Sequence, residues 1–184
     1  IAGLVLAGAV WIIVRDDPTD RGYSGYVSTS HAKVSGETEW QKLKRVFSYR
    51  NSALLALAPG GIVGSVLAFS GLWGIPFLTH VYGMSSAIAA TVCSGIMLAW
   101  AFSGPVFGLL SEKIGLRRLP YLVGTCLAAG CWSAVILIPD LPQSFLVALL
   151  LGAGFCSGGM ILGFTQAKES VPMALAGTVS GVVN

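Results

Sequence analysis

The sequence predicts an all-α membrane protein, a polytopic bundle of transmembrane helices, and three observations carry that prediction. Of 184 residues, 54% are hydrophobic and only 10% charged, with a mean hydropathy of +0.77, where a soluble domain carries roughly 25% charged residues. A soluble chain of this size leaves roughly 30% of its unfolded surface wet, too much for so apolar a composition to hide. Four apolar runs, near 53–79, 86–110, 119–139 and 143–167, are each long enough to cross a hydrocarbon core about 30 Å thick. Finally, the basic residues sort to alternate turns, as membrane topology demands and chance does not.

The elements follow in chain order. Residues 1–14, "IAGLVLAGAVWIIV", are apolar but make only ~21 Å of helix, too little to span. No basic stretch precedes them, so a signal peptide is disfavoured and the end of a membrane helix is expected. Asp16, Asp17 and Pro18 close that helix, since proline cannot continue it and disfavours helical backbone before it. Residues 15–52 form the extended polar stretch, whose Ser-, Gly- and Thr-rich middle reads as a flexible linker. Near its end Trp40, Leu43 and Phe47 recur at helical spacing among Lys42, Lys44, Arg45 and Arg50. That pattern suits a short basic amphipathic helix on an anionic membrane surface, or a solvated linker with incidental aromatics.

The four spans are joined by short turns, "HVYGMSS", "SEKIGLRR", "PDLP" and "KESVP", and a fifth run begins near Pro172. Gly, Pro and Ser supply the breaks, and turns this tight make neighbouring helices antiparallel. In the first span "APGGIVGS", with Pro59, Gly60, Gly61 and Gly64, is expected to kink or to pack closely. The closing "LAGTVSGVVN" looks like the first turns of another helix, so the sequence reads as a fragment of a longer protein.

Numbering the sides alternately puts every Lys and Arg on the side of the linker: Arg15, Arg21, Lys33, Lys42, Lys44, Arg45, Arg50, Lys113, Arg117, Arg118 and Lys168. The opposite turns hold none, only Asp140. The positive-inside rule then makes the linker, the "SEKIGLRR" turn and the "KESVP" turn cytoplasmic. A net charge of +3 is too small to suggest nucleic acid. Cys93, Cys126, Cys131 and Cys156 all lie in apolar runs without a CxxC pair, which suits small buried hydrophobes better than a disulfide framework or zinc site. Nothing in the pattern calls for a metal or other cofactor, and no nucleotide-binding loop appears.

The junction "GLLSEKIGLRR", residues 108–118, is more specific than a scatter of cations. Gly108, Leu110, Glu112, Lys113, Gly115, Arg117 and Arg118 resemble the cytoplasmic signature of the major facilitator superfamily, loosely G-x-L-[S/A]-D-[R/K]-x-G-R-R-[R/K]. Glu112 stands in the acidic position and Leu116 where an Arg is often found. In that family the signature lies between the second and third helices, with a degenerate copy between the eighth and ninth. "AKESVPMALAGTVSGVVN", with Glu169, Pro172, Gly177, Thr178 and Gly181, is similar to the segment entering the family's eleventh helix. "GLWGIPFL" followed by "YGMSSAIAA" resembles the junction of the seventh and eighth helices in bacterial members.

The resemblance implies part of the C-terminal half of a twelve-helix carrier, from the end of the sixth helix to the start of the eleventh. It makes residues 1–14 the end of one transmembrane helix, 15–52 a cytoplasmic linker between halves, and 53–184 the C-terminal bundle. It implies a multi-pass protein of a cell membrane, a bacterial inner membrane in particular. The implied function is secondary active transport of a small polar or anionic solute by alternating access, as symporter or antiporter with H+ or Na+ as coupling ion.

A conformational latch is expected from Gly108, Glu112, Lys113, Gly115, Arg117 and Arg118. Gly104 and Gly108, four apart around Pro105, permit close helix approach. Glu112 is expected to offer its carboxylate to the N-terminus of the helix entering at Pro172, where orphan N–H groups favour an anion, with Arg117 or Arg118 completing the cluster. A topogenic, headgroup-binding patch without gating energy is the plainer alternative. The spans contain no Asp, Glu, Lys or Arg, the residues that by default would mark a coupling site. The family binds solute at the midplane through its first, fourth, seventh and tenth helices, which nominates Ser70, Trp73, Ser157 and Gln166 for the solute path. Each also has a plain packing or interfacial role available, as His80 does at a span end.

Two other classes remain. A membrane-embedded enzyme needs acidic or histidine clusters near a span end, and Asp140 and His80 stand isolated. A non-transporting membrane receptor or scaffold of carrier ancestry leaves no distinguishing mark in the sequence.

Overall fold

The computed structural model describes residues 2–13, Gly22 and 38–184, and all its regular elements are helices. The end of the first apolar run, its closing Asp16, Asp17 and Pro18, the Ser- and Gly-rich linker, Arg15, Arg21 and Lys33 lie outside the described residues. Helix α1 (Ala2–Ile13) belongs to a separate compact unit, residues 1–35. It carries no acidic residue in its first turn and no basic residue in its last, as expected of a segment built for lipid.

The second unit, residues 36–184, contains α2 (Glu39–Ser48), α3 (Arg50–His80), α4 (Ser86–Ile114), α5 (Arg118–Leu137), α6 (Gln143–Glu169) and the short α7 (Ala176–Val183). Among the described residues α3, α4, α5 and α6 are long and apolar enough to cross a membrane. Their outward surfaces are oily: Leu57, Leu72, Phe102, Leu109, Ile136 and Leu137 are all exposed. In water such surfaces would aggregate, whereas in lipid they are the solvated side.

What sits inside is small. Helix α6 packs against both α4 and α5, and its glycines make the fit possible. A Cβ on Gly154 would stand 2.6 Å from the Ile96 carbonyl oxygen, and one on Gly158 would collide with Ser103. On the other flank, a Cβ on Gly124 of α5 would meet the Cys156 carbonyl oxygen at 2.9 Å. Small-residue contacts of this kind are how membrane helices associate without a hydrophobic gradient between them. Gly158–Met160 tighten to a 3-10 turn within α6. Several hydroxyls are satisfied locally: those of Thr91, Thr125 and Ser157 in the spans and of Ser180 in α7 donate to carbonyls four residues back, at 2.6–2.9 Å.

Two apolar clusters show the antiparallel order. One joins Val66 and Leu78 of late α3, Ala89, Val92 and Ile96 of early α4, Val135 of late α5, and Leu146 and Leu150 of early α6. The other joins Val46 of α2, Leu55 of early α3, Ala167 of late α6, and Val179 and Val183 of α7. Each cluster gathers the ends that a strict up-and-down path brings together.

Three details depart from expectation. Helix α3 stays α-helical from Arg50 to Ala68 straight through Pro59, and the irregularity falls later, in a π-helical turn at Phe69–Trp73. Gly60, Gly61 and Gly64 have open space where a Cβ would be, so they mediate no close packing among the described residues. The close approach is at Gly74, just after the π turn, where a Cβ would lie 2.5 Å from Cys93 Sγ. Of the four cysteines Cys93 is buried, Cys131 and Cys156 half-buried, and Cys126 exposed, so Cys126 is not the buried hydrophobe expected.

Candidate functional site

The α4–α5 junction is made by its residue types. Helix α4 ends at Gly115, whose φ of 72° is left-handed, and its N–H bonds the carbonyls of Ser111 and Glu112 at 2.9 and 3.2 Å. Glycine takes that conformation without steric cost and so closes the helix cleanly. Buried Ser111 then fastens the turn: its hydroxyl donates to the Leu116 carbonyl at 3.0 Å and accepts from Arg117 Nη1 at 3.4 Å.

Arg117 reaches further, pairing through Nε with Glu169 Oε1 at 3.4 Å. The arginine caps the N-terminus of α5 and the glutamate ends α6. Each charge sits at the end of its own helix that its sign disfavours, since macrodipoles are positive at N-termini and negative at C-termini. The pair offsets both penalties and ties the two helix ends together. Arg117 is a third exposed and Glu169 about half, at 34% and 53%, so the bond is wet and worth roughly 0.2–1 kcal/mol.

The carboxylate in this junction is therefore not the one expected. Glu112 is exposed and its side chain has no hydrogen-bond or ion-pair partner among the described residues. Helix α4 ends in that turn with Glu112 facing outward, whereas Glu169 is carried to the junction by the last turn of α6. Gly104 and Gly108 have open space at their Cβ positions, so they bring no second backbone close. Lys113 and Arg118 are exposed. Ser111 and Glu169 are the bonded side chains of this junction that sequence reasoning missed. Glu169 was visible beside Pro172, but nothing in sequence spacing links it to an arginine 52 residues away.

The four solute-path residues do not converge. Trp73 lines an apolar cavity of about 490 Å³ with Phe69, Phe77 and Trp132. Ser157 is buried at 1% exposure with its hydroxyl spent on the Ala153 carbonyl, which makes it a packing residue of α6. Ser70 Oγ is buried with no partner. Gln166 lines a different cavity, of about 500 Å³, with Arg50, Arg118 and Tyr121. At the opposite end Gln143 Nε2 donates to the Tyr82 carbonyl at 3.0 Å, fastening the two turns there to each other. Among the described residues no three His, Cys, Asp or Glu side chains gather as metal ligands.

The comparisons bear on this geometry. A family model described as Major Facilitator Superfamily matches residues 1–184. The "MFS-type transporter SLC18B1" of Rattus norvegicus is 34% identical over 88 residues, covering 46% of this chain and 19% of that protein. The "Probable nitrate/nitrite transporter NarK2" of Mycobacterium tuberculosis (strain ATCC 25618 / H37Rv) is 32% identical over 148 residues, covering 74% of this chain and 33% of that protein. The chain thus matches between about a fifth and a third of the length of these curated relatives. No solved structure matches it.

Proposed function

Because the chain belongs to the Major Facilitator Superfamily and carries four membrane-length helices, we propose that it is the working part of a secondary active transporter. On this reading a small polar or anionic solute crosses by alternating access, as symport or antiport with H+ or Na+. Nitrate is the first solute to try, since a relative covering 74% of this chain is named a probable nitrate/nitrite transporter.

The observation that carries the reading is the Arg117–Glu169 pair with Ser111 beneath it. A partly hydrated ion pair between helix ends stabilises one arrangement of the junction and gives way in another, which is what biases a two-state equilibrium. Lys113 and Arg118 add positive charge around it, and the basic end faces the cytoplasm. The interiors of the spans hold no Asp, Glu, Lys or Arg. A charge that meets the solute or the coupling ion then comes from residues outside these spans.

The test is uptake by the complete protein in proteoliposomes, with labelled nitrate inside and outside an imposed pH or sodium gradient. Gradient-driven accumulation supports the proposal. A protein that binds solute without moving it, across a panel of small anions and polar solutes, refutes it.

A further inference from the structure

We infer that the cleft between α3, α5 and the end of α6 is a binding site for the phosphate headgroup of an anionic phospholipid. The cavity of about 500 Å³ is lined by Arg50, Asn51, Arg118, Tyr121 and Gln166, with Leu54, Leu55 and Leu122 beside them, and its size falls in the range of small-molecule sites. Its charge is one-sided. Arg50 and Arg118 belong to no ion pair among the described residues, in contrast to Arg117 alongside. Both guanidiniums are exposed on the cavity wall, where charge-assisted hydrogen bonds to an anion are available to them.

A second observation is independent of charge. The Tyr121 hydroxyl and Gln166 Oε1 are both buried without a hydrogen-bond partner; Ser52, Ser70 and Trp132 share that state elsewhere, but this pair lines the basic cavity. Buried polar atoms are ordinarily paired, so two orphans on one basic cavity mark where a ligand's oxygens belong. Tyrosine can donate to such an oxygen, and so can the amide of Gln166 with its O and N exchanged, an assignment that hydrogen-bonding partners decide.

The apolar lining selects the kind of anion. Leu54 and Leu122 are more than half exposed and continue the cavity wall onto the exposed apolar surfaces of α3 and α5. A free anion gains nothing from them, whereas an amphiphile with acyl chains covers them. The neighbouring α2 packs against α3 and α7 through Val46, leaving Trp40 and Phe47 outward with Lys44 over the Trp40 ring at 5.9 Å. That surface suits the same headgroup layer, and basic pockets between membrane helices are where such headgroups bind.

Native mass spectrometry of the purified full chain, released from micelles containing phosphatidylglycerol or phosphatidylcholine, tests this. A retained phosphatidylglycerol adduct is expected, weakened about 5-fold by Arg50→Ala or Arg118→Ala and about 30-fold by both. Tyr121→Phe, which keeps the ring and removes the hydroxyl, weakens it while leaving the melting temperature in lipid-free detergent unchanged, so a folding defect is not mistaken for lost binding. Lys113→Ala, a cation of the same end outside the cavity, leaves the adduct intact. Equal retention of phosphatidylcholine, equal loss with Lys113→Ala, or displacement by millimolar inorganic phosphate overturns the assignment, the last by showing a free anion to be the occupant.

Discussion

The two ends of the bundle are built on different principles. The end holding the Tyr82 and Asp140 turns is aromatic and apolar, with a cavity of about 490 Å³ of its own. Phe69, Phe77, Tyr82 and Trp132 meet edge to face with centroids 5.1–5.8 Å apart, over a core that includes Val66, Leu78, Ile96 and Leu146. The end holding the basic residues has a smaller core, a wet ion pair, and a cavity with two orphaned polar atoms. Dense packing resists rearrangement, whereas hydrated charge pairs exchange partners cheaply. The difference is one of chemistry: aromatic and aliphatic contacts join the helices at one end, and charge meets charge at the other.

The comparison is broken most severely by crowding the contact that holds the helices together. Gly154→Leu forces a side chain against the Ile96 backbone, 2.6 Å from where its Cβ would be, and backbone has no room to yield. A loss of about 3 kcal/mol is expected, read as a collapse of monodisperse protein in detergent. Gly60→Ala is the matched control, because its Cβ meets nothing within 4 Å and alanine is the better helix former; its melting temperature holds or rises.

Next in size is Glu169→Gln. It costs roughly 0.2–1 kcal/mol of stability, yet it leaves Arg117 uncompensated at a helix N-terminus. Cysteine-accessibility labelling of the cytoplasmic vestibule should change several-fold while the melting temperature moves little. Unchanged labelling would remove the pair from any gating role. A smaller effect is expected from Glu112→Gln, whose carboxylate has no partner; if it shifts labelling more than Glu169→Gln, the assignment of roles at the junction is reversed. Gly108→Ala is expected to be smallest, its Cβ pointing into open space.

These contrasts mark what could be read from the sequence. The helical bundle was legible, because chain-long apolarity is a local signal, as is the spacing of small residues four apart. The same spacing misled at Gly104 and Gly108, since it states that two backbones can approach and not that a neighbour is there. Pro59 suggested a break that the span absorbs, and the π turn at Phe69–Trp73 had no sequence signal. The pairing of Arg117 with Glu169 and the meeting of Arg50, Arg118, Tyr121 and Gln166 at one cavity are products of tertiary structure, which residue spacing does not encode. Ser70, Trp73, Ser157 and Gln166 shared polarity and a family analogy, and the fold distributes them among separate environments.

The proposal that the basic end is cytoplasmic is tested most directly by the sidedness of single cysteines placed at Lys113, Lys168 and Asp140 in a cysteine-free background. With a membrane-impermeant thiol reagent on intact cells, Asp140→Cys should label, while Lys113→Cys and Lys168→Cys should label only after the membrane is opened. Labelling of positions 113 and 140 from the same side would contradict the account.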